Sequence, residues 1–154
     1  MILSSLREIR DFLSESNYFQ ESVVKSFSWG DMLTSVSISM ETPQFKVDEP
    51  VHFELFNLKF HVIQSFKFIG GMDESRMQYL NKLNRVEFFD EEYWSINEIS
   101  RIVLDHDSYD LVEFFDQKTQ FFRAQFQWER NDKRHIEIIF AKLEVHSKPV
   151  DPET

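Results

Sequence analysis

The stretch FRAQFQWERNDKRHIEIIF, residues 122–140, carries the clearest structural pattern in the chain. Apolar side chains alternate with polar ones on both sides of the polar segment 131–133. The alternating apolar residues are Phe122, Ala124, Phe126 and Trp128 before that segment and Ile136, Ile138 and Phe140 after it. A period of two is typical of a strand with one buried face, and a polar segment between two such runs is typical of a turn. The stretch therefore predicts a β-hairpin.

Earlier segments repeat the period of two. Apolar residues alternate with serines over residues 36–40, and Thr42-Pro43 predicts the end of that strand. Alternation resumes over residues 51–55 but continues over residues 58–62 on the opposite parity. This phase change predicts a β-bulge or a tight turn near Phe56-Asn57.

Two segments have helical spacing instead. The first contains Ile2, Leu6, Ile9 and Leu13, and the second contains Met77, Leu80 and Leu83 after Gly70-Gly71. The expected fold is α+β: a mainly antiparallel β-sheet with an N-terminal helix and one short helical excursion at residues 73–83. We expect residues 1–147 to form a single domain and residues 148–154, which include two prolines, to form a flexible tail.

Composition narrows the classes of function. The 154 residues include 27 acids and 17 Lys or Arg, which gives a formal net charge of −10. Nucleic acid and anionic membranes are therefore disfavoured as main partners, because phosphate contacts require clustered cations. The absence of cysteine excludes disulfides and thiolate metal sites. We see neither a signal-peptide pattern nor a long apolar run, and we expect a cytoplasmic protein.

The negative charge is concentrated in residues 85–116, which contain ten acids and two bases. One interpretation is a solvated acidic surface, and the other is a docking face for a basic protein partner. Aromatic residues lie among these acids, as in the hot spots of protein interfaces. The candidate partner-binding residues are Asp90, Glu91, Glu92, Trp94, Asp105, Asp107, Tyr109 and Asp110.

Catalytic and metal motifs are not apparent. Asp105-His106-Asp107 offers metal-ligand types, but as a calcium loop it places Asp110 where glycine is needed. The histidines lack zinc-site spacing, and there is no G-x-S-x-G motif. We expect no enzyme activity, no cofactor and no bound metal.

The segment Phe27-Ser28-Trp29-Gly30-Asp31, followed by the alternating residues 32–38, carries a resemblance. The order of an N-terminal helix, an aromatic-x-Asp segment and antiparallel strands is similar to a group of small bacterial immunity proteins, which neutralise toxins delivered between neighbouring cells. Related sequences often have His before the Asp, where this chain has Gly30. The resemblance implies a non-enzymatic, cytoplasmic, acidic domain that covers the active surface of a toxin, such as a nuclease.

Three functions remain open on the sequence alone. The first is an immunity-type protein that neutralises a basic toxin domain through an acidic face containing aromatic residues. The second is a small-ligand-binding domain with an aromatic-lined pocket, suggested by the 16% aromatic content. The third is a structural homo-oligomer.

Overall fold

The computed structural model describes residues 1–44, 48–71, 74, 78, 97–105 and 120–150. These residues include the helix α1 (Leu6–Glu15) and two short 3-10 turns, Asn17–Phe19 and Asp31–Leu33. The strands in chain order are β1 (Ile2–Leu3), β2 (Val23–Gly30), β3 (Ser35–Gln44), β4 (His52–His61), β5 (Ser65–Ile69), β6 (Ile99–Asp105), β7 (Phe122–Trp128), β8 (His135–Phe140) and β9 (Lys142–Pro149). In the described part of the chain, no helix is long and apolar enough to cross a membrane.

The strands form two antiparallel sheets. The first has the order β1-β9-β4-β3-β2, and the second has the order β5-β8-β7-β6. Their facing sides share one hydrophobic core, in which the largest fully buried side chains include Phe60, Phe122, Phe126 and Phe140. The prediction of a mainly antiparallel fold with an N-terminal helix is confirmed, whereas most of the helical excursion predicted at residues 73–83 lies outside the described residues.

The predicted hairpin is present as β7 and β8. Phe122 lies opposite Phe140 at one end, and Gln127 lies opposite His135 at the other. All seven alternating apolar side chains are buried. The period of two was decisive here because one face of this pair meets the core and the other does not.

The helix α1 begins after Ser5, whose hydroxyl accepts a hydrogen bond from the backbone N–H of Glu8 at 3.2 Å. Such a cap satisfies one of the donors left without a partner in the first turn. Ile9 and Leu13 line the same apolar void as Leu143 of β9 and Ile102 of β6. Helix α1 therefore closes the space between the two sheets on one side. The helical pattern does not extend to Ile2, which pairs with Glu144 in β1 instead.

Two predictions about β3 and β4 are wrong. Strand β3 passes through Thr42-Pro43 to Gln44, because β2 begins opposite Glu41 and Pro43 has a neighbouring strand on one side only. Strand β4 has no bulge near Phe56-Asn57, since its pairing with β3 is continuous. The phase change arises because Phe53 and Leu55 lie half-buried on the outer face of the sheet. A register shift occurs instead in β2, between Val24 and Ser26.

The predicted tail begins too early. Strand β9 continues to Pro149, and Lys148 pairs with Leu55 of β4. The backbone N–H of Val150 donates to the carbonyl oxygen of Phe53 at 2.9 Å. These ladder bonds fix residues 148–150 to the sheet, and residues 151–154 lie outside the described residues.

Candidate binding surface

Only one of the predicted partner-binding residues lies in the described part of the chain. Asp105 ends β6, and its carboxylate forms an ion pair with Arg123, which lies directly opposite on β7. An acid whose charge is balanced within the same sheet adds little to a negative surface potential. The other seven candidates lie outside the described residues: Asp90, Glu91, Glu92, Trp94, Asp107, Tyr109 and Asp110. The acidic face therefore stays a prediction.

Other carboxylates do gather near the start of β6. Glu98, Glu21 and Glu129 line one cavity of about 270 Å³ together with Arg130. Burial raises the pKa of Glu98, and the negative charges of Glu21 and Glu129 raise it further. The charge of Arg130 acts in the opposite direction. Negative charge is thus concentrated at this corner of the domain, where Glu98 pairs with Val23 at the start of β2.

The most distinctive surface is an aromatic cluster shared by two edge strands. Among the described residues, Phe27 and Trp29 lie on β2, at one edge of the first sheet, and Phe66 and Phe68 lie on β5, at one edge of the second. We call these four residues the aromatic seam. The ring centroid of Phe27 lies 5.4 Å from that of Phe66 and 5.4 Å from that of Phe68. The ring centroid of Trp29 lies 5.2 Å from that of Phe66. These distances are typical of attractive edge-to-face and tilted pairs.

Register explains why these rings meet. Phe27 and Trp29 lie opposite the buried residues Ile38 and Val36, so they point toward the inner face of the first sheet. Phe66 and Phe68 lie opposite the buried residues Ile138 and Ile136 on the inner face of the second sheet. The seam therefore closes the space between the sheets on the side of the β2 and β5 edges.

The aromatic seam is only partly buried. Phe66 packs against the core, but Phe27, Trp29 and Phe68 keep 39%, 43% and 44% of their surface exposed. Each sheet ends here, so no further described strand covers these inner-face positions. Clustered aromatic rings at exposed strand edges are unusual on a surface that serves solubility alone.

The turn after β2 extends the apolar surface. Asp31, Met32 and Leu33 all have positive φ angles, between 49° and 69°, and none is glycine. Left-handed backbone costs about 1–2 kcal/mol for such residues. Met32 and Leu33 project into solvent, with 96% and 69% of their surface exposed. The turn thus presents two large exposed apolar side chains directly after the strand that carries Trp29.

Asp31 holds this turn in place. Its Oδ2 atom accepts a hydrogen bond from the Ser35 hydroxyl at 3.0 Å and lies 3.1 Å from Lys59 Nζ. The hydrogen bond from Lys59 is the largest cause of a lowered pKa at Asp31, followed by that from Ser35. These contacts explain how the Phe27–Asp31 motif keeps its strained end ordered.

A polar group occupies the outer face of the first sheet. Glu144 lies between two imidazoles, with Oε2 2.9 Å from His146 Nε2 and Oε1 3.6 Å from His61 Nε2. Its pKa is lowered, chiefly by the hydrogen bond with His146. Among the described residues, no group of three His, Asp or Glu side chains is arranged to hold a metal ion.

The chain matches no model of a protein family, and it matches none of the curated proteins or solved structures with which it was compared. The candidate site therefore rests on its own geometry. The motif at residues 27–31 contains Phe27 and Trp29, but it does not predict their contact with Phe66 and Phe68. The missed signal was Ser65-Phe-Lys-Phe68, a short run with a period of two.

Proposed function

We propose that this protein is an immunity-type binding protein, which neutralises a basic toxin domain in the cytoplasm. The observation that carries the proposal is the aromatic seam, flanked by Met32 and Leu33. Large aromatic side chains and methionine are the residues most enriched at protein interfaces. The seam rings lose little conformational entropy when a partner covers them, since they already pack against one another.

Charge supports a basic partner. The chain carries a net charge of −10, and the carboxylates of Glu21, Glu98 and Glu129 lie near one end of β2. A basic protein is attracted to the chain at long range by this negative charge, and at the other end of β2 it meets the apolar rings at short range. The charge would speed association, and the buried aromatic contact would slow dissociation.

Unpaired edges offer a further contact. Within the described residues, β2 pairs with β3 along one side only, apart from the single bridge between Val23 and Glu98. An extended segment of a partner is able to add to such an edge through backbone hydrogen bonds. The seam would then lie directly beneath the added segment.

The test begins with capture and ends with neutralisation. The tagged chain is used to isolate a basic protein from its native host at low salt, and that protein is then expressed in sensitive cells with and without the chain. We expect the captured protein to inhibit growth when expressed alone and growth to return when the chain is present. A captured protein that is harmless, or one that the chain fails to neutralise, contradicts the proposed function.

Matched variants test whether the aromatic seam is part of the interface with the partner. Trp29→Ala and Phe68→Ala should each weaken binding roughly ten-fold or more, as hot-spot residues do. Ile2→Ala, which removes an exposed apolar side chain at the opposite edge of the first sheet, should leave binding unchanged. Equal affinities of the partner for all three variants would show that the seam is not part of the interface.

The predicted acidic residues are tested in two groups, because residues 90–92 precede β6 in sequence and Asp105 ends it. We expect the D90N/E91Q/E92Q and D107N/D110N variants to bind more weakly and with a flatter dependence on salt. Asp105 is left unchanged, because its carboxylate already pairs with Arg123. Unchanged salt dependence in both variants would assign the acids to solvation alone.

A further inference from the structure

Two sets of contacts hold the turn Asp31–Leu33, which presents Met32 and Leu33 to solvent. The first set is made by the backbone. The carbonyl oxygen of Asp31 accepts a hydrogen bond from the backbone N–H of Thr34 at 3.2 Å and another from the Thr34 hydroxyl at 2.6 Å. The carbonyl oxygen of Thr34 accepts a hydrogen bond from the backbone N–H of Ile63 at 3.0 Å. The turn is therefore tied to the link between β4 and β5.

The side chain of Asp31 makes the second set of contacts. Its Oδ2 atom accepts a hydrogen bond from the hydroxyl of Ser35, which is only 1% exposed, and lies 3.1 Å from Lys59 Nζ. Gly30 lies directly opposite Ser35, and a Cβ atom at Gly30 would lie 3.3 Å from the Ser35 hydroxyl oxygen. One carboxylate thus joins the turn to a buried hydroxyl at the start of β3 and to an ammonium on β4.

The position of Lys59 directs its ammonium to Asp31. Lys59 lies on β4, between β3 and β9, and 29% of its side chain is exposed. Glu144 lies directly opposite on β9, but its carboxylate already contacts two imidazoles. The hydrogen bond with His146 is the largest cause of the lowered pKa of Glu144, and the charge of Lys59 is the smallest. The contact of Lys59 at 3.1 Å is with Asp31.

The turn depends on these contacts because its own apolar side chains do little to hold it. Residues 31–33 all have left-handed backbone, and such a conformation persists only where the surroundings impose it. Met32 and Leu33 keep 96% and 69% of their surface exposed, so core packing does not fix them. The backbone bonds and the Asp31 carboxylate therefore determine how the two side chains are presented.

We propose that Lys59 is a positioning residue for partner binding, which acts through Asp31 to hold the turn in the conformation that meets the partner. This inference rests on the proposed function, since the partner is the basic protein that the aromatic seam would contact. A turn that is ordered beforehand lowers the entropy lost when its two exposed side chains are immobilised. The ammonium of Lys59 has the wrong charge to attract a basic protein, so its contribution comes through the turn.

Amide hydrogen exchange of the free chain tests the turn without a partner. Lys59→Met removes the ammonium and keeps an unbranched stem, whereas Lys59→Arg keeps the positive charge. We expect the amides of Thr34 and Ile63 to exchange about ten-fold or more faster in Lys59→Met and at close to the wild-type rate in Lys59→Arg. Unchanged exchange rates at both amides in Lys59→Met overturn the proposal. Amides of the β7–β8 hairpin should not change, which separates local opening of the turn from a global loss of stability.

The sign of the charge change makes the binding test selective. Lys59→Met and Lys142→Met each remove one positive charge from the same face of the first sheet, where Lys142 is exposed on β9 opposite His61. Long-range attraction of a basic partner would strengthen in both variants. Positioning predicts instead that Lys59→Met binds about ten-fold more weakly, chiefly through faster dissociation, while Lys142→Met binds at least as tightly as the wild type. Wild-type or tighter binding of Lys59→Met overturns the proposal.

A double-mutant cycle shows whether Lys59 acts through the turn. In the M32A/L33A background, Lys59→Met should not change the affinity further, because the side chains that it positions are absent. A loss of affinity that persists in this background would mean that Lys59 acts elsewhere, and it too overturns the proposal. The partner in these measurements is the protein captured by the tagged chain. If that protein is harmless, the proposed function fails while the binding comparison still decides the role of Lys59; capture of no protein contradicts both.

Discussion

Gly71 offers the sharpest test of the described fold. Its φ is +61°, and its carbonyl oxygen accepts a hydrogen bond from Asn131 Nδ2 at 2.9 Å. A Cβ atom at this position would lie 2.7 Å from the backbone nitrogen of Arg134 and 2.8 Å from the carbonyl carbon of Lys133. Both contacts are with backbone atoms of the β7–β8 turn, so rotation of a side chain cannot relieve them.

The stability lost in Gly71→Ala is the sum of two independent costs. Left-handed backbone costs alanine about 1–2 kcal/mol more than glycine, and overpacking against a rigid neighbour costs typically about 1–3 kcal/mol. We expect Gly71→Ala to lower the free energy of unfolding by about 3 kcal/mol. In a domain of this size the melting temperature should then fall by roughly 6–12 °C.

Gly70→Ala is the matched control. A Cβ atom at Gly70 would lie 4.0 Å from the ring of Phe68, an ordinary van der Waals contact. This variant should stay within about 1 kcal/mol of the wild type. Both are compared by urea titration of the full chain, with equal slopes expected. If the two variants unfold at the same urea concentration, the close approach of Gly71 to the turn is wrong.

Two further sets of variants test buried polar groups. Burial raises the pKa of Glu41, whose Oε2 atom lies 3.8 Å from Lys25 Nζ. The stability linked to this carboxyl is therefore complete below about pH 4.3 and is lost as the pH rises through the raised pKa. The melting temperature of Glu41→Gln should therefore rise relative to that of the wild type as the pH increases from about 4 to about 7. A difference in melting temperature that stays the same over this range would contradict the raised pKa. The hydroxyls of Ser22 and Thr42 lie 2.9 Å apart in a buried pair, and Ser22→Ala should cost about 1–3 kcal/mol. In urea titrations the S22A/T42V double variant should cost less than the two single variants together, whereas simple additivity would argue against the bond.

The sequence was informative wherever one face of a strand is buried and the other is solvated. The β7–β8 hairpin has this arrangement, and its predicted alternation is observed residue by residue. Strand β4 does not, because Phe53 and Leu55 are half-buried on the outer face while Leu58 and Phe60 are buried on the inner face. Apolar residues on both faces imitate a break in phase, so the alternation predicts a bulge or a tight turn that β4 does not have.

Other features depend on contacts between distant parts of the chain. The left-handed turn at Asp31 contains no glycine, so its conformation follows from the bonds that Asp31 makes with Ser35 and Lys59. Trp29 and Phe66 meet only because β2 and β5 are edges of different sheets. Periodicity within a segment reports which face is apolar, but it does not report which other segment that face meets.

The aromatic seam and the negative charge are best understood together. An exposed apolar edge favours association of any two copies that meet, which is a hazard for a protein with unpaired strands. A net charge of −10 on each copy opposes that encounter, whereas it would favour the approach of a basic protein to the chain. The net charge would therefore favour association with a basic protein over association between copies. Apolar contact with the seam rings would then slow dissociation. Salt acts in opposite directions on the two encounters, because screening weakens the attraction of a basic partner and also the repulsion between copies.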